Sequence, residues 1–153
     1  ETFNEALYKA FLGAGIRLPK YKNMIMTVRP EEQEDAVPIA KRFEALGYRI
    51  YATRGTANTL KEHGVKVIRT NKLEQPAPNL MDLILGHKID VVIDIPSQGV
   101  EHQKDGFVIR RNAIETGVNV LTSLDTAEAL VTSLENTDAN KLSLIDIATI
   151  ARR

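Results

Sequence analysis

The segment Tyr51–Asn58, with the sequence YATRGTAN, is the most informative part of the chain for the fold. It follows an apolar stretch typical of a β-strand and precedes a helical pattern. Thr53, Gly55 and Thr56 therefore lie at a turn from strand to helix, where unpaired backbone N–H groups and the helix dipole favour anions. The pattern predicts a phosphate site. An equally good interpretation is that Thr56 only caps the helix and Gly55 only makes the turn.

The rest of the chain repeats this alternation of short apolar strands and helices of about ten residues. Continuous apolar strands are typical of a parallel sheet that is covered on both faces. We therefore expect an α/β fold with three layers, α/β/α. Five strands are predicted, at Met24–Val28, Tyr48–Ala52, Val65–Arg69, Asp90–Ile95 and Val118–Leu121. Helices are predicted at Pro30–Leu46, Thr56–His63, Asn79–Gly86, Phe107–Thr116 and Leu144–Ile150. A further helix is predicted to follow a capping box at Thr122–Asp125.

The composition excludes several classes of protein. The chain has 153 residues, and its 20 basic and 20 acidic residues give a formal net charge of zero. Nucleic-acid and membrane-surface binders are usually basic, and no apolar run approaches the ~20 residues of a membrane span. Cysteine is absent, which excludes disulfides and cysteine–zinc sites and fits the cytosol. We expect no nucleic-acid partner, no membrane partner and a cytoplasmic location.

Polar side chains gather where the predicted strands end, and ligands of an open parallel sheet bind beyond those carboxyl ends. Hydroxyls and cations at this edge suit an anionic ligand that carries a sugar, and Lys72 is the point charge suited to a phosphate. The alternative is that these are ordinary cap and turn residues. Arg110 and Arg111 are expected on a salt-bridged surface, with contact to an anion as the alternative. The predicted effector- or phosphate-binding residues are Thr27, Thr53, Gly55, Thr56, Lys72, Asp94 and Ser97.

Candidates for catalysis are few. The chain has no Gly-x-x-x-x-Gly-Lys-Ser/Thr motif and no Gly-x-Gly-x-x-Gly motif after the first strand. His63 is expected to cap a helix end, His87 to be a solvated loop residue, and His102 to lie in a polar loop at the edge of the site. The histidines lack metal-ligand spacing, and Asp90 and Asp94 stand roughly 13 Å apart, too far for an acid–base pair. We expect no catalytic residue, metal or cofactor in this chain.

Five short motifs are specific when they are taken together in their order and spacing: Thr27–Arg29, Ala52–Ala57, Asn71-Lys72, Asp105–Ala113 and Thr122–Ala127. They resemble the methylglyoxal-synthase-like domain at the carboxyl terminus of the large subunit of carbamoyl phosphate synthetase. The front segment is similar to the end of the preceding synthetase domain, and the chain begins with Glu rather than Met. We therefore expect a piece of a longer protein. Residues 1–22 would be the tail of the preceding domain and a linker, and residues 23–153 the regulatory domain.

The resemblance implies a five-stranded parallel sheet of order 3-2-1-4-5, with a crevice between strands one and four. It implies a domain that does no chemistry and binds nucleotide effectors such as uridine monophosphate, inosine monophosphate or phosphoribosyl pyrophosphate. It places Thr27, Thr53, Thr56 and Lys72 at the phosphate and ribose contacts.

The parent enzyme implied by the resemblance is a ligase with ATP and Mg or Mn as cofactors. It makes carbamoyl phosphate from glutamine or ammonia and bicarbonate, for arginine and pyrimidine synthesis. The implied partners of this domain are the effector, the rest of the large subunit and the small glutaminase subunit. Homo-oligomer contacts between copies of the chain stay open.

Three positions depart from the family pattern: Gln33 replaces a Lys, Asp94 replaces an Asn, and Pro96 replaces a Thr. A lost cation and a gained anion both act against phosphate, so we expect an altered response to uridine monophosphate, as in an arginine-pathway enzyme. One alternative is a lyase of the methylglyoxal synthase type that acts on dihydroxyacetone phosphate, with Asp94 as its candidate base. Another is the cyclohydrolase domain of purine synthesis, whose Lys-Thr-Leu-His-Pro motif is absent here.

Overall fold

The computed structural model describes residues 2–16, 19–86 and 88–136. The predicted helix at Leu144–Ile150, and also His87, lie outside the described residues. A 3-10 turn at Pro30–Glu32 leads into the second helix. The strands are β1 (Asn23–Val28), β2 (Arg49–Ala52), β3 (Val67–Arg69), β4 (Val91–Ile95) and β5 (Asn119–Leu121), and the helices are α1 (Phe3–Gly13), α2 (Gln33–Ala45), α3 (Arg54–Glu62), α4 (Leu80–Leu85), α5 (Val100–Glu115) and α6 (Leu124–Asn136).

The strands form one five-stranded parallel sheet in the order β3-β2-β1-β4-β5, so the predicted order is confirmed. β1 lies at the centre, where Met24 aligns with Ile50 of β2 on one side and with Val91 of β4 on the other. From β1 the strands are added outward on one side, as β2 and then β3, and afterwards on the other side of β1, as β4 and then β5. In open α/β sheets, the carboxyl ends of such a pair of strands border a crevice.

Helices cover both faces of the sheet. One face packs against α1, α2, α3 and α6 and buries Phe43 and Leu60, whereas the other packs against α4 and α5 and buries Ile84 and Ile109. β4 is buried at all five positions, which confirms that it is a core strand. In the part of the chain that the structure describes, no helix is both long and apolar enough to cross a bilayer.

The amino-terminal segment is fastened to the sheet by one carboxylate. α1 packs on α6, and residues 20–22 lie at the amino ends of β1 and β4. There Asp90 accepts hydrogen bonds from the backbone N–H groups of Lys20, Tyr21 and Lys22, at 2.9, 2.9 and 2.5 Å. Lys22 has a left-handed φ of 54°, and such turns can aim successive N–H groups at a single anion. The sequence suggested no role of this kind for Asp90.

α5 is longer than the sequence predicted. It begins at Val100 rather than at Phe107, so the backbone at His102 is helical and the predicted polar loop is wrong there. The missed part is polar and carries no apolar periodicity. Its N-cap is Gly99, whose φ of 138° lies in a region that glycine adopts without strain.

Several other boundaries differ from the prediction by one or two residues. β3 begins at Val67 rather than at Val65. The predicted capping box at Thr122 is shifted by one position, because the Ser123 hydroxyl accepts the hydrogen bond from the backbone N–H of Thr126 at 3.2 Å. The helix that follows is α6, as expected.

Candidate functional site

A cavity of about 330 Å³ opens at the carboxyl ends of β1 and β4. Its position is the crevice that the sheet order dictates, and its volume suits a small molecule. The residues predicted for the site come from four separate segments of the chain, at the ends of β1, β2, β3 and β4, and the fold brings them together. All of them line the cavity: Thr27, Thr53, Gly55, Thr56, Lys72, Asp94 and Ser97.

The amino end of α3 forms one wall of the cavity. Thr53 is the N-cap residue, yet its side chain makes no hydrogen bond to the helix. The backbone N–H of Ala57 donates to the Thr53 carbonyl at 2.8 Å. The N–H groups of residues 54–56 therefore have no partner within the helix. Together with the positive end of the helix dipole, they offer a binding surface for an anion.

The Thr56 hydroxyl is already used by the end of β1. It accepts a hydrogen bond from the backbone N–H of Val28 at 3.0 Å and donates to the Val28 carbonyl at 3.2 Å. Thr56 is buried inside α3, so the interpretation that it caps the helix is wrong. Because the hydroxyl proton is taken, Thr56 can donate to a ligand only through its backbone N–H.

Gln33 supports the same wall from α2. Its amide nitrogen Nε2 donates to the Val28 carbonyl at 3.0 Å, and its Oε1 accepts from the Thr59 hydroxyl at 2.9 Å. A Cβ on Gly55 would stand 3.1 Å from that Nε2, closer than an ordinary contact. Glycine at this position thus lets the start of α3 approach Gln33. Gln33 thereby connects the end of β1 with the start of α3.

Two cations line the cavity, Arg29 and Lys72. The Arg29 side chain is paired with the Glu32 carboxylate, which offsets most of its charge. Lys72 is exposed, and its backbone N–H is held by Gln75 Oε1 at 2.9 Å. Within residues 2–16, 19–86 and 88–136, no carboxylate forms an ion pair with the Lys72 ammonium group. Lys72 is therefore the cation with most charge to offer a bound anion.

The opposite wall of the cavity carries Asp94, which is 3% exposed. Burial raises the pKa of Asp94 above its ordinary value, whereas the nearby Arg110 acts to lower this pKa and Asp105 acts to raise it. Nη1 of Arg110 donates to Asp94 Oδ2 at 3.2 Å. A Cβ on Gly106 would come within 2.8 Å of that Nη1, so glycine leaves room for the ion pair. Arg111 makes a surface ion pair, as predicted.

Thr27 and Ser97 complete the predicted set. Thr27 stands beside Asp94 in the register of β1 and β4, and Ser97 follows β4 in a partly exposed turn. His63 lies away from the cavity at the C-cap of α3, where its Nδ1 is 2.9 Å from the Thr59 carbonyl. The prediction that His63 caps a helix end is confirmed.

Sequence reasoning assigned no role to several other lining residues. Asp105, Gly106 and Ile109 line the cavity from α5, and Leu80 lines it from α4. The first two stand in the helical turn that was expected to be a loop. The signal that could have identified them is the motif Asp105–Ala113, which carried the family resemblance without a function for each residue.

Comparison with known proteins identifies the family of the chain. A family model described as the MGS-like domain matches residues 35–122, more than half of the chain. The carbamoyl phosphate synthase large chain of Lachnoclostridium phytofermentans is 61% identical over 150 residues, covering 98% of this chain and 14% of that protein. The large chain of Agathobacter rectalis is 62% identical over 151 residues, with the same coverage. That of Clostridium botulinum is 43% identical over 132 residues, covering 86% of this chain and 12% of that protein.

The chain thus spans 14% of the length of the first two relatives. Among solved structures, ForH matches with a TM-score of 0.57 and 19% identity, covering 76% of this chain and 80% of that chain, which supports the fold alone. The predicted resemblance is confirmed by the family model and by the matches to these large chains. The chain therefore belongs to the MGS-like domain family.

Proposed function

We propose that the chain is the allosteric effector-binding domain of the large subunit of a glutamine-hydrolysing carbamoyl phosphate synthetase. One observation carries the effector site: the start of α3, whose first N–H groups have no partner within the helix, borders the same cavity as Lys72. The relatives that match 98% of the chain support the parent enzyme, since they are carbamoyl phosphate synthase large chains. The proposed ligand is a nucleotide or another phosphate-containing effector.

The phosphate of this effector sits against the α3 wall. The N–H groups of residues 54–56 and the Thr53 hydroxyl donate to its oxygens, and Lys72 neutralises charge. The wall that carries Asp94 and Asp105 favours it less, because one guanidinium, that of Arg110, stands against two carboxylates there. The anion therefore prefers the α3 side of the cavity.

In this proposal the domain transforms nothing and needs no cofactor. Residues 1–22 are the tail of the preceding synthetase domain and a linker. The parent enzyme uses ATP and Mg or Mn, works with a small glutaminase subunit in the cytoplasm, and makes carbamoyl phosphate for arginine and pyrimidine synthesis. Regulation arises because the effector binds one arrangement of the parent more tightly than another, and this difference in binding free energy shifts the equilibrium.

Calorimetric titration of the purified chain with inorganic phosphate and a panel of nucleotides tests the site. Lys72→Ala removes one charged hydrogen bond and should weaken binding by about 1.5–3 kcal/mol. Lys66→Ala is the matched control, because Lys66 is exposed just before β3 and does not line the cavity. Equal affinities in the wild type and in Lys72→Ala would show that the anion binds elsewhere or not at all.

Asp94 supports a second candidate function, the lyase that acts on dihydroxyacetone phosphate. A base in such an enzyme is a carboxylate with a raised pKa that faces the substrate, and burial raises the pKa of Asp94 in the cavity wall. Incubation of the chain with dihydroxyacetone phosphate decides between the two functions. Methylglyoxal formation that is lost in Asp94→Asn would replace the regulatory proposal, whereas no turnover by the wild type excludes the lyase.

A further inference from the structure

The outer side of α5 carries large apolar side chains in solvent. Phe107, Val108 and Ile114 are 60%, 39% and 71% exposed. Ile109, on the inner side of the same helix, is buried. Leu85, at the end of the adjacent helix α4, is exposed as well. Single exposed apolar residues are ordinary, but a group of them on one face of a molecule marks an interaction surface.

The exposed residues of α5 form one stripe along the helix. Counted from the first, the others follow at 3, 4, 7, 10 and 11 residues, the spacing that places side chains on one side of a helix. The stripe is about 16 Å long at a rise of about 1.5 Å per residue. We call it the α5 stripe, and it consists of Lys104, Phe107, Val108, Arg111, Ile114 and Glu115.

Charges of opposite sign lie at the two ends of the α5 stripe. In the part of the chain that the structure describes, Lys104 at the first end forms no ion pair. Glu115 at the other end is paired with Arg111, whose Nε lies 3.1 Å from Oε1 of Glu115. A carboxylate has two oxygens that accept hydrogen bonds, so Glu115 can bind a second cation through Oε2.

This arrangement of charges is complementary to itself. When two copies of α5 pack antiparallel about a twofold axis, Lys104 of each copy lies opposite Glu115 of the other, and the contact occurs twice. Val108 of one copy then lies opposite Arg111 and beside Ile114 of the other, so apolar groups meet at the centre. A parallel pair would place like charges against each other at both ends, which selects the antiparallel pair.

We propose that the α5 stripe is the contact surface for a second copy of this chain, with the two α5 helices antiparallel. The layer of α4 and α5 then becomes a layer of four helices. Two helices bury less than the roughly 1,200 Å² of a standard interface, so the dissociation constant is on the order of 100 μM. The proposal does not depend on the effector site, because the cavity is lined by the opposite side of α5.

Sedimentation equilibrium of the purified chain from about 10 μM to about 1 mM tests the pairing, and the wild type should change from monomer to dimer over this range. Lys104→Glu and Glu115→Lys should each weaken the dimer about tenfold, because each reversed charge meets a like charge twice. The double variant restores opposite charges and should dimerise within about threefold of the wild type.

Two further variants test the apolar centre of the α5 stripe. Ile114→Lys places a cation beside Lys104 of the other copy and should leave the chain monomeric at about 1 mM. Phe3→Lys is the matched control, because Phe3 is exposed on α1, which packs against the other face of the sheet. This control should dimerise like the wild type.

Three results would overturn the proposal. A wild type that stays monomeric at about 1 mM excludes a second copy as the occupant and leaves the stripe to another part of a longer protein. A dimer that neither the charge reversals nor Ile114→Lys weakens forms through another surface. A double variant as weak as the single reversals shows that Lys104 does not face Glu115. The reversal series decides the question even where Ile114→Lys fails to fold, and phosphate titration measures the effector site separately.

Discussion

Replacing Asp90 with Asn should loosen the amino-terminal segment and destabilise the whole chain. In the folded protein the carboxylate receives three backbone N–H groups, with one on Oδ1 and two on Oδ2. An Asn side chain has the same shape but only one acceptor oxygen. Whichever way the amide is turned, at least one backbone N–H of residues 20–22 faces an NH₂ group instead of an oxygen.

The size of the effect follows from these bonds. A hydrogen bond to a charged group contributes about 1.5–3 kcal/mol, and the bonds that remain weaken because the charge is gone. We therefore expect a loss of about 2–4 kcal/mol in the free energy of unfolding. With a urea m-value of about 2 kcal/mol per molar, the unfolding midpoint should fall by about 1–2 M.

Urea unfolding and amide hydrogen exchange measure this prediction together. In Asp90→Asn, exchange at residues 20–22 should accelerate by more than exchange in β1, because the segment opens locally before the sheet does. Glu74→Gln changes an exposed carboxylate in the same way and should leave stability within about 0.5 kcal/mol of the wild type. A change below about 0.5 kcal/mol in Asp90→Asn, with unaltered exchange at residues 20–22, would show that the three hydrogen bonds to Asp90 do not stabilise the segment.

Two other predictions concern the cavity walls. Thr56→Val should cost about 2 kcal/mol in urea unfolding, because it leaves the buried N–H of Val28 without its partner, while Thr122→Val at an exposed position should cost little. Burial raises the pKa of Asp94 above 3.8 in the folded chain, so its contribution to stability falls as pH rises through the unfolded and then the folded pKa. Arg110→Gln removes the cation that opposes the rise in the pKa of Asp94, so the loss of stability should continue to higher pH. Urea midpoints measured across the pH range test this. An unchanged pH profile would contradict the ion pair between Asp94 and Arg110.

The sheet could be predicted because its strands are continuous apolar runs that no helix pattern matches. β4 is the clearest case, because four of its five residues are apolar, and the structure buries all five. The order of the strands came from the family resemblance, because short apolar runs do not specify their neighbours. The start of α5 was missed because it follows a glycine N-cap and its polar residues show no apolar periodicity.

The candidate site was predicted as a set of residues but not as a set of roles. The strand-end rule is enough to place Thr53, Lys72 and Asp94 at one edge. Their bonding depends on partners far away in the chain. The Thr56 hydroxyl binds Val28, and Asp94 pairs with Arg110, and neither spacing belongs to a local helix or strand pattern. Roles that arise from contacts between distant segments leave no trace in a single sequence.

β4 connects the anchoring point of the amino-terminal segment with the wall of the cavity. Asp90 precedes this strand and grips residues 20–22, while Asp94 on the strand itself forms part of the cavity wall. An extended backbone has no slack along its axis, and β4 is clamped between β1 and β5 over its length. A force on Asp94 along the axis is therefore shared by β4 and by the two strands that pair with it. β4 thus connects the cavity wall directly with the segment at residues 20–22.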